Sequence, residues 1–169
     1  AGAVRPAPGH RFTRAATAPC REGRHQEVQR MVQSGIPVMG HIGLQPQSVH
    51  AYGGFRVQGR KEEDARNIER QAAALEELGA FAIVLECVPA DLARKISESL
   101  GIPTIGIGAG AGCDGQILVL QDLLGMNPDF RPKFARPFLN GAECVMQTLA
   151  RYDSAVKAGT FPAAEESFQ

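Results

Sequence analysis

A junction between helix and strand recurs in this chain and constrains the fold more than any other sequence feature. Gly35-Ile36-Pro37 and Gly101-Ile102-Pro103 are two copies of it, and Gly79-Ala80-Phe81 is a looser copy. In each copy a helical pattern ends at the glycine and an apolar run follows. Such alternation is typical of βα units that share a parallel sheet, so the sequence predicts an α/β fold.

Apolar periodicity predicts the elements between these junctions. Strands are expected at 36–42, 81–88, 102–107 and 116–120, so about four strands are predicted. Helical patterns are expected at 25–34, 62–78, 90–100 and 145–156. The run at 81–88 is apolar except for Glu86, a pattern that suits a parallel strand buried on both faces.

Length and charge limit the classes of function. The 169 residues are enough for one domain with a sizeable core, whereas a complete (β/α)8 barrel typically needs ~250 residues. Eighteen Lys and Arg balance eighteen Asp and Glu, so neither nucleic acid nor an anionic membrane is expected as a partner. No apolar run approaches the ~18 residues of a membrane span.

The first 24 residues differ in composition from the rest. They are rich in Ala, Pro, Arg and Gly, they show no apolar period, and Glu22 is their first acidic residue. We expect residues 1–24 to be a disordered leader, with a transit peptide and a damaged stretch as alternatives. Residues 25–169 are expected to form the structured domain.

The cysteines indicate the compartment. Cys20, Cys87, Cys113 and Cys144 are scattered, and no C-x-x-C pair or zinc spacing occurs. Cys87 and Cys113 lie beside segments that are expected to be buried. Reduced thiols are therefore expected, which favours a cytoplasmic location over a secreted one.

Two residues are candidates for chemistry at the ends of strands. Glu86 lies near the carboxyl end of a predicted buried strand, where barrel enzymes place their active sites. Apolar neighbours disfavour the charged form of a carboxylate and make it a stronger base, although a rim glutamate paired with an arginine has the same pattern. His41 ends another strand, between Gly40 and Ile42, and is either a structural hydrogen-bonding residue or part of a site.

A glycine-rich segment follows the strand at 102–107. Gly106-Ile107-Gly108-Ala109-Gly110 matches the dinucleotide fingerprint only superficially, because no helical pattern begins directly after it. A phosphate cradle and a tight turn remain as alternatives. Asp114 is expected to cap the turn or to form hydrogen bonds within it.

Several motifs resemble one family in order and spacing. The segments that carry the resemblance are GHIGLQPQSVHAYGGFRVQGR, VLECVPADLA, IPTIGIGAGAGCDGQILVLQDLLG and PKFARPF. From about Gly35 to the C-terminus, the chain resembles the ketopantoate hydroxymethyltransferases. The resemblance implies a (β/α)8 TIM barrel, of which this chain would hold the C-terminal βα units as an incomplete barrel. It also implies that Glu86 is the proton acceptor and that His41 belongs to the active-site hydrogen-bond network.

The resemblance further implies a reaction, a metal cofactor and an oligomeric assembly. A hydroxymethyl group would pass from 5,10-methylenetetrahydrofolate to 3-methyl-2-oxobutanoate, giving 2-dehydropantoate, with Mg²⁺ as cofactor and a homo-oligomer as the assembly. The family carries a Lys-x-Glu-Gly motif upstream of Gly35. Counting back from His41 puts its Lys on Thr17 and its Glu on Pro19, so no metal ligand is assigned, and Glu22 is only a faint candidate.

Three readings of function follow. The first is the hydroxymethyltransferase, with this chain as a partial copy. The second is a catalytically inactive fragment that acts at most as an oligomer partner. The third, motivated by the glycine-rich segment, is a different barrel enzyme that acts on a phosphorylated small molecule.

Overall fold

The computed structural model describes residues 16–19, 25–44 and 57–168. The strands are β1 (Ala16–Pro19), β2 (Val38–Gly43), β3 (Ala82–Glu86), β4 (Thr104–Ile107) and β5 (Gly115–Gln116). The helices are α1 (His25–Gln33), α2 (Glu62–Glu77), α3 (Ala90–Ser99), α4 (Leu120–Leu123) and α5 (Gly141–Lys157), and a 3-10 turn covers Ala164–Glu166. The predicted alternation of helix and strand is confirmed.

The strands form one five-stranded sheet in the order β1-β2-β3-β4-β5. Every neighbouring pair is parallel. Helices α1, α2 and α3 each connect two consecutive strands, as βα units require. A sheet whose strands stay in chain order agrees with the TIM-barrel family, because doubly wound sheets reverse their strand order.

The core lies between the sheet and its helices. Alternate residues of β2 and β3 point into it, among them Ile42, Ile83 and Leu85, each fully shielded from solvent. Leu75 of α2 and Ile96 of α3 pack against them in the same cluster. The other face of the strands is therefore left for the side chains that alternate with these core residues.

Strand β1 lies inside the range 1–24 that the sequence predicts to be a leader. Ala16 pairs with Val38 and Pro19 pairs with His41, so the prediction of disorder is wrong for Ala16–Pro19. The segment Ala-Thr-Ala-Pro has little strand propensity of its own, so its strand conformation depends on its pairing with β2. Residues 1–15 and 20–24, including Cys20 and Glu22, lie outside the described residues.

The last predicted strand also needs correction. Strand β5 covers only Gly115–Gln116, and helix α4 begins at Leu120 instead of a strand ending there. The apolar run 117–120 resembles a strand in sequence, but only its first residue bonds to the sheet, through Ile117 N–H to Gly106 O at 3.0 Å. A short apolar run does not distinguish strand from helix by periodicity alone.

The chain divides into two compact units, residues 1–117 and 118–169. The first unit contains the sheet. The second contains α4 and α5, and Gly141 is the only buried residue of α5. Tyr152 meets Phe161 edge to face, with ring centroids 5.4 Å apart. Among the helices that the structure describes, none has the length and apolar character needed to cross a membrane.

Candidate active site

His41 and Glu86 lie on the same face of the sheet, opposite the helix-packed core. Ile42 points into the core, so alternation turns His41 to the other face. In the parallel register His41 is opposite Val84, and Gly43 is opposite Glu86. His41 and Glu86 are therefore diagonal neighbours near the carboxyl ends of adjacent strands, which is where barrel enzymes hold their catalytic residues.

The two side chains are in direct contact. His41 Nε2 lies 2.9 Å from Glu86 Oε2, and the side chains are 18% and 16% exposed, respectively. An ionised carboxylate only accepts hydrogen bonds, so with Glu86 ionised the imidazole N–H is the donor. Within the described part of the chain, Glu86 is thus paired with a histidine and not with the arginine that a rim glutamate would have.

Gly43 lies directly against the backbone of Glu86. A Cβ atom at Gly43 would lie 2.2 Å from the carbonyl oxygen of Glu86, far inside van der Waals contact. The residue also has a φ of +92°, which residues with a side chain rarely adopt. A side chain at position 43 would therefore force the end of β3 to shift.

Cys87 follows Glu86 directly and is a buried free thiol. Burial raises the pKa of Cys87 above its ordinary value of 9.0, and the neighbouring Glu86 carboxylate raises it further. The thiol therefore stays protonated at neutral pH. A nucleophilic thiolate at this position is disfavoured, because nucleophilic cysteines need a lowered pKa.

The glycine-rich segment after β4 packs against helix α3. A Cβ at Gly110 would lie 2.4 Å from Ala90 Cβ, and a Cβ at Gly112 would lie 2.7 Å from Arg94 Cβ. Strand β5, not a helix, follows the segment, so the dinucleotide fingerprint is excluded here. Close packing of the backbone against α3 explains why these two positions are glycine.

Asp114 acts at the other end of the sheet from Glu86. Its Oδ2 accepts hydrogen bonds from the Thr104 backbone N–H at 2.8 Å and from the Thr104 hydroxyl at 2.9 Å. Thr104 is fully buried at the start of β4, and Ser97 Oγ lies 2.6 Å from its hydroxyl oxygen. Asp114 forms hydrogen bonds as expected, but its partner is Thr104 at the start of β4 and not the glycine-rich turn.

The described residues do not provide a Mg²⁺ site. Across the part of the chain that the structure covers, no three His, Cys, Asp or Glu residues are grouped so that they could hold a metal. Mg²⁺ requires near-octahedral oxygen ligation. Glu86 is bonded to His41, and Asp114 is bonded to Thr104 at the opposite end of the sheet.

Sequence reasoning selected Glu86 and His41 as candidates but did not predict the backbone geometry around them. Cys87 has a φ of +51°, and no other non-glycine residue in the described ranges has a positive φ. Glycine, and to a lesser extent Asn and Asp, signal positive φ in a sequence, whereas cysteine does not, so residue type did not predict this conformation. The approach of Gly43 to the carbonyl of Glu86 also depends on strand register, which the sequence does not state.

Comparison with known proteins identifies relatives of the chain. A family model described as ketopantoate hydroxymethyltransferase matches residues 15–164. Proteins named 3-methyl-2-oxobutanoate hydroxymethyltransferase are similar to this chain in sequence. The one from Enterococcus faecalis is 54% identical over 143 residues, which is 85% of this chain and 52% of the relative. The one from Francisella tularensis is 51% identical over 141 residues, which is 83% of this chain and 53% of the relative. The one from Syntrophomonas wolfei is 52% identical over 145 residues, which is 86% of this chain and 52% of the relative.

The chain thus spans about half the length of the curated relatives that it matches. The family match covers β1 and both residues of the His41–Glu86 contact.

Proposed function

Because the chain belongs to the ketopantoate hydroxymethyltransferase family, we propose that residues 25–169 supply the base-bearing part of a hydroxymethyltransferase site. The reaction transfers a hydroxymethyl group from 5,10-methylenetetrahydrofolate to 3-methyl-2-oxobutanoate and gives 2-dehydropantoate, towards pantothenate and coenzyme A. The observation that carries the proposal is the contact between Glu86 and His41 near the carboxyl ends of adjacent strands.

Glu86 is assigned as the base. Carbon 3 of the keto acid is next to a ketone, so removing its proton sends the electron pair towards the keto oxygen as an enolate. Since His41 engages Oε2, Oε1 is the oxygen that we expect to take the proton. Carbon 3 then bonds to the folate methylene carbon, both C–N bonds of that carbon are broken, and water supplies the hydroxyl oxygen. Tetrahydrofolate is the second product.

His41 is assigned as the residue that orients this base. A hydrogen bond from Nε2 to Oε2 fixes the rotation of the Glu86 carboxylate, so that Oε1 keeps one orientation towards the substrate. The 2.9 Å separation and the low exposure of both side chains support this role. Orientation matters because a displacement of ~1 Å in a catalytic group can cost ~10²-fold in rate.

The fold and assembly form a second part of the proposal. We propose that the five strands belong to a (β/α)8 barrel that this chain forms incompletely; the parallel strands in chain order support this. We also propose assembly with further copies of the chain, supported by the exposed apolar side chains of α5. A cytoplasmic location is supported by the free thiols of Cys87, Cys113 and Cys144.

The family resemblance implies Mg²⁺, but the residues in the described ranges do not form a site that fits this ion. No step of the proposed reaction is therefore assigned to Mg²⁺. We expect calorimetry of the chain with Mg²⁺ to detect no saturable site of micromolar affinity. Such a site would show that residues outside the described ranges complete a ligand set.

Within the described ranges no group of His, Cys, Asp or Glu residues could hold a metal, and this observation supports a second candidate function. In it the chain does no chemistry of its own and acts at most as an assembly partner. The two candidates differ in whether the Glu86 region works when a complete active site surrounds it.

A chimera tests the proposal. Residues 35–169 replace the matching part of the Enterococcus faecalis relative, and the product is incubated with 3-methyl-2-oxobutanoate in D₂O. We expect the carbon-3 proton signal to disappear at a rate comparable to that of the unmodified relative. The 169-residue chain is assayed beside it under the same conditions.

The outcomes separate the candidates. Exchange by the folded chimera supports the base-bearing role, whether or not the chain alone is active. A chimera that folds and binds the keto acid but exchanges no carbon-3 proton would contradict that role and favour the inactive partner.

A further inference from the structure

Strand β3 ends in a corner formed by Glu86 and Cys87. Strict alternation along a strand would turn residue 87 towards the helix side and residue 88 to the same face as Glu86. Instead Val88 joins the core cluster that contains Leu85, and its side chain is almost fully buried. The positive φ of Cys87 produces this change, because it turns the chain sharply after Glu86.

Three separate segments hold this corner. The Leu44 N–H donates to the Glu86 carbonyl at 2.8 Å, and the Cys87 N–H donates to the Ile107 carbonyl at 2.9 Å. The Cys87 carbonyl accepts a hydrogen bond from the Gln58 N–H at 2.9 Å. These contacts come from the ends of β2 and β4 and from the segment before α2, so the surrounding structure fixes the corner from several sides.

The left-handed conformation has an energetic cost at a residue with a Cβ atom, and glycine would avoid that cost. Such conformations persist where the surroundings impose them, and they cluster at functional sites. Here the imposed turn comes immediately after the carboxylate that contacts His41. The buried thiol does not supply a negative charge at this turn, because burial and the neighbouring Glu86 raise the pKa of Cys87.

We propose that Cys87 is a positioning residue for Glu86, and that its left-handed backbone, not its thiol, aims the carboxylate at His41. With this turn in place, Glu86 keeps its orientation on the His41 face while Val88 enters the core. That this orientation serves catalysis rests on the proposed function, whereas the effect of the Cys87 backbone on the position of Glu86 does not.

The test uses the 169-residue chain with ¹⁵N-labelled histidine. The chain has four histidines, and His41→Asn assigns the Nε2 resonance of His41. Glu86→Gln then shows where that resonance lies when the carboxylate partner is lost. This spectroscopic readout reports the contact itself, so it separates a positioning role from a loss of stability.

Three substitutions at position 87 separate backbone from thiol. Cys87→Gly accepts positive φ without strain, and Cys87→Ala removes the thiol but keeps the Cβ atom. Both should keep the His41 Nε2 resonance at the wild-type position. Cys87→Val disfavours positive φ because it is β-branched, so its resonance should move to the Glu86→Gln position. If Cys87→Val does not fold, the smaller β-branched variant Cys87→Thr takes its place, with the same expectation.

Two results would overturn the proposal. A β-branched variant that melts at a lower temperature but keeps the wild-type resonance would make Cys87 merely structural. A resonance that moves in Cys87→Ala as far as in the β-branched variant would assign the effect to the thiol. The readout needs no substrate, so either result leaves the proton-exchange test of Glu86 intact, and failure of that test leaves this geometry intact.

Discussion

His41 and Glu86 are 45 positions apart in sequence, yet their side chains meet at 2.9 Å because their strands are adjacent and parallel. The pairing register makes them diagonal neighbours, and Gly43 lies directly against the backbone of Glu86. A histidine and a carboxylate in this arrangement can hold and move a proton, which is the chemistry that the proposed reaction needs.

Replacing Glu86 by glutamine in the chimera should abolish most carbon-3 proton exchange. The amide keeps the shape of the side chain but cannot accept the proton, and loss of a general base costs about 10²–10⁴ in rate. Proton NMR in D₂O measures the rate, and keto-acid affinity should change little. Glu98→Gln, at an exposed position on α3, is the matched control and should exchange normally. Normal exchange in a folded Glu86→Gln chimera would remove Glu86 from the mechanism.

Replacing His41 by alanine should slow the same exchange by a smaller factor, about 10²-fold, through lost orientation of the carboxylate. The double variant with Glu86→Gln should be no slower than Glu86→Gln alone, because residues that act as a unit are non-additive. Single-turnover exchange measures both variants. Strictly multiplicative losses would show that the two residues act independently.

Gly43→Ala should destabilise the chain more than Gly35→Ala. Both glycines have positive φ, so each substitution costs about 1–2 kcal/mol in backbone strain. A Cβ at Gly35 meets nothing within 4 Å, whereas one at Gly43 lies 2.2 Å from the carbonyl oxygen of Glu86. Overpacking adds about 1–3 kcal/mol at Gly43. Urea unfolding measures the free energies of unfolding, and equal losses would contradict the close approach.

Asp114→Asn should make stability less dependent on pH at acid pH. Hydrogen bonds from the Thr104 N–H and hydroxyl hold the pKa of Asp114 below its ordinary value of 3.8. The unfolded state therefore binds the Asp114 proton more readily than the folded state does. The contribution of the ionised Asp114 to the free energy of unfolding is fully present well above pH 3.8, and it is lost as pH falls through the lower pKa of the folded state. Urea unfolding from pH 7 down to pH 3 should show a shallower decline for Asp114→Asn than for wild type. Asp91→Asn, which does not contact Thr104, is the control; identical declines in wild type and Asp114→Asn would contradict the assignment.

The chain should self-associate through the apolar face of α5. Val145, Leu149, Tyr152 and Val156 recur at helical spacing and are 43–56% exposed. Leu149→Lys with Tyr152→Lys should reduce association in sedimentation velocity, because burying either charge in a contact is costly. Ser154→Lys, at an exposed position on the opposite face of the same helix, is the control. A wild-type chain that is monomeric at all concentrations would contradict the prediction.

The sequence was sufficient where local pattern decides structure. Helix α2 is predicted at 62–78 and found at Glu62–Glu77, because its apolar residues repeat at helical spacing and Gly79 ends it. Strand β3 is predicted at 81–88 and found at Ala82–Glu86. Its continuous apolar run also indicated that Glu86 was unusual.

Local pattern failed where pairing partners decide structure. The segment 16–19 has no strand signal, yet it pairs with β2, whereas the apolar residues 118–120 belong to no strand. Strand formation depends on whether a neighbouring edge is available, and that depends on residues far away in sequence.

By itself, the sequence determined the α/β class, the family resemblance and the choice of Glu86 and His41, because these depend on residue type, order and spacing. Only the tertiary structure decided that these two side chains touch, that Gly43 lies against the carbonyl of Glu86, and that Cys87 adopts a left-handed backbone. The physical reason is that strand register and imposed backbone strain arise from contacts between segments distant in the chain. No local propensity encodes such contacts.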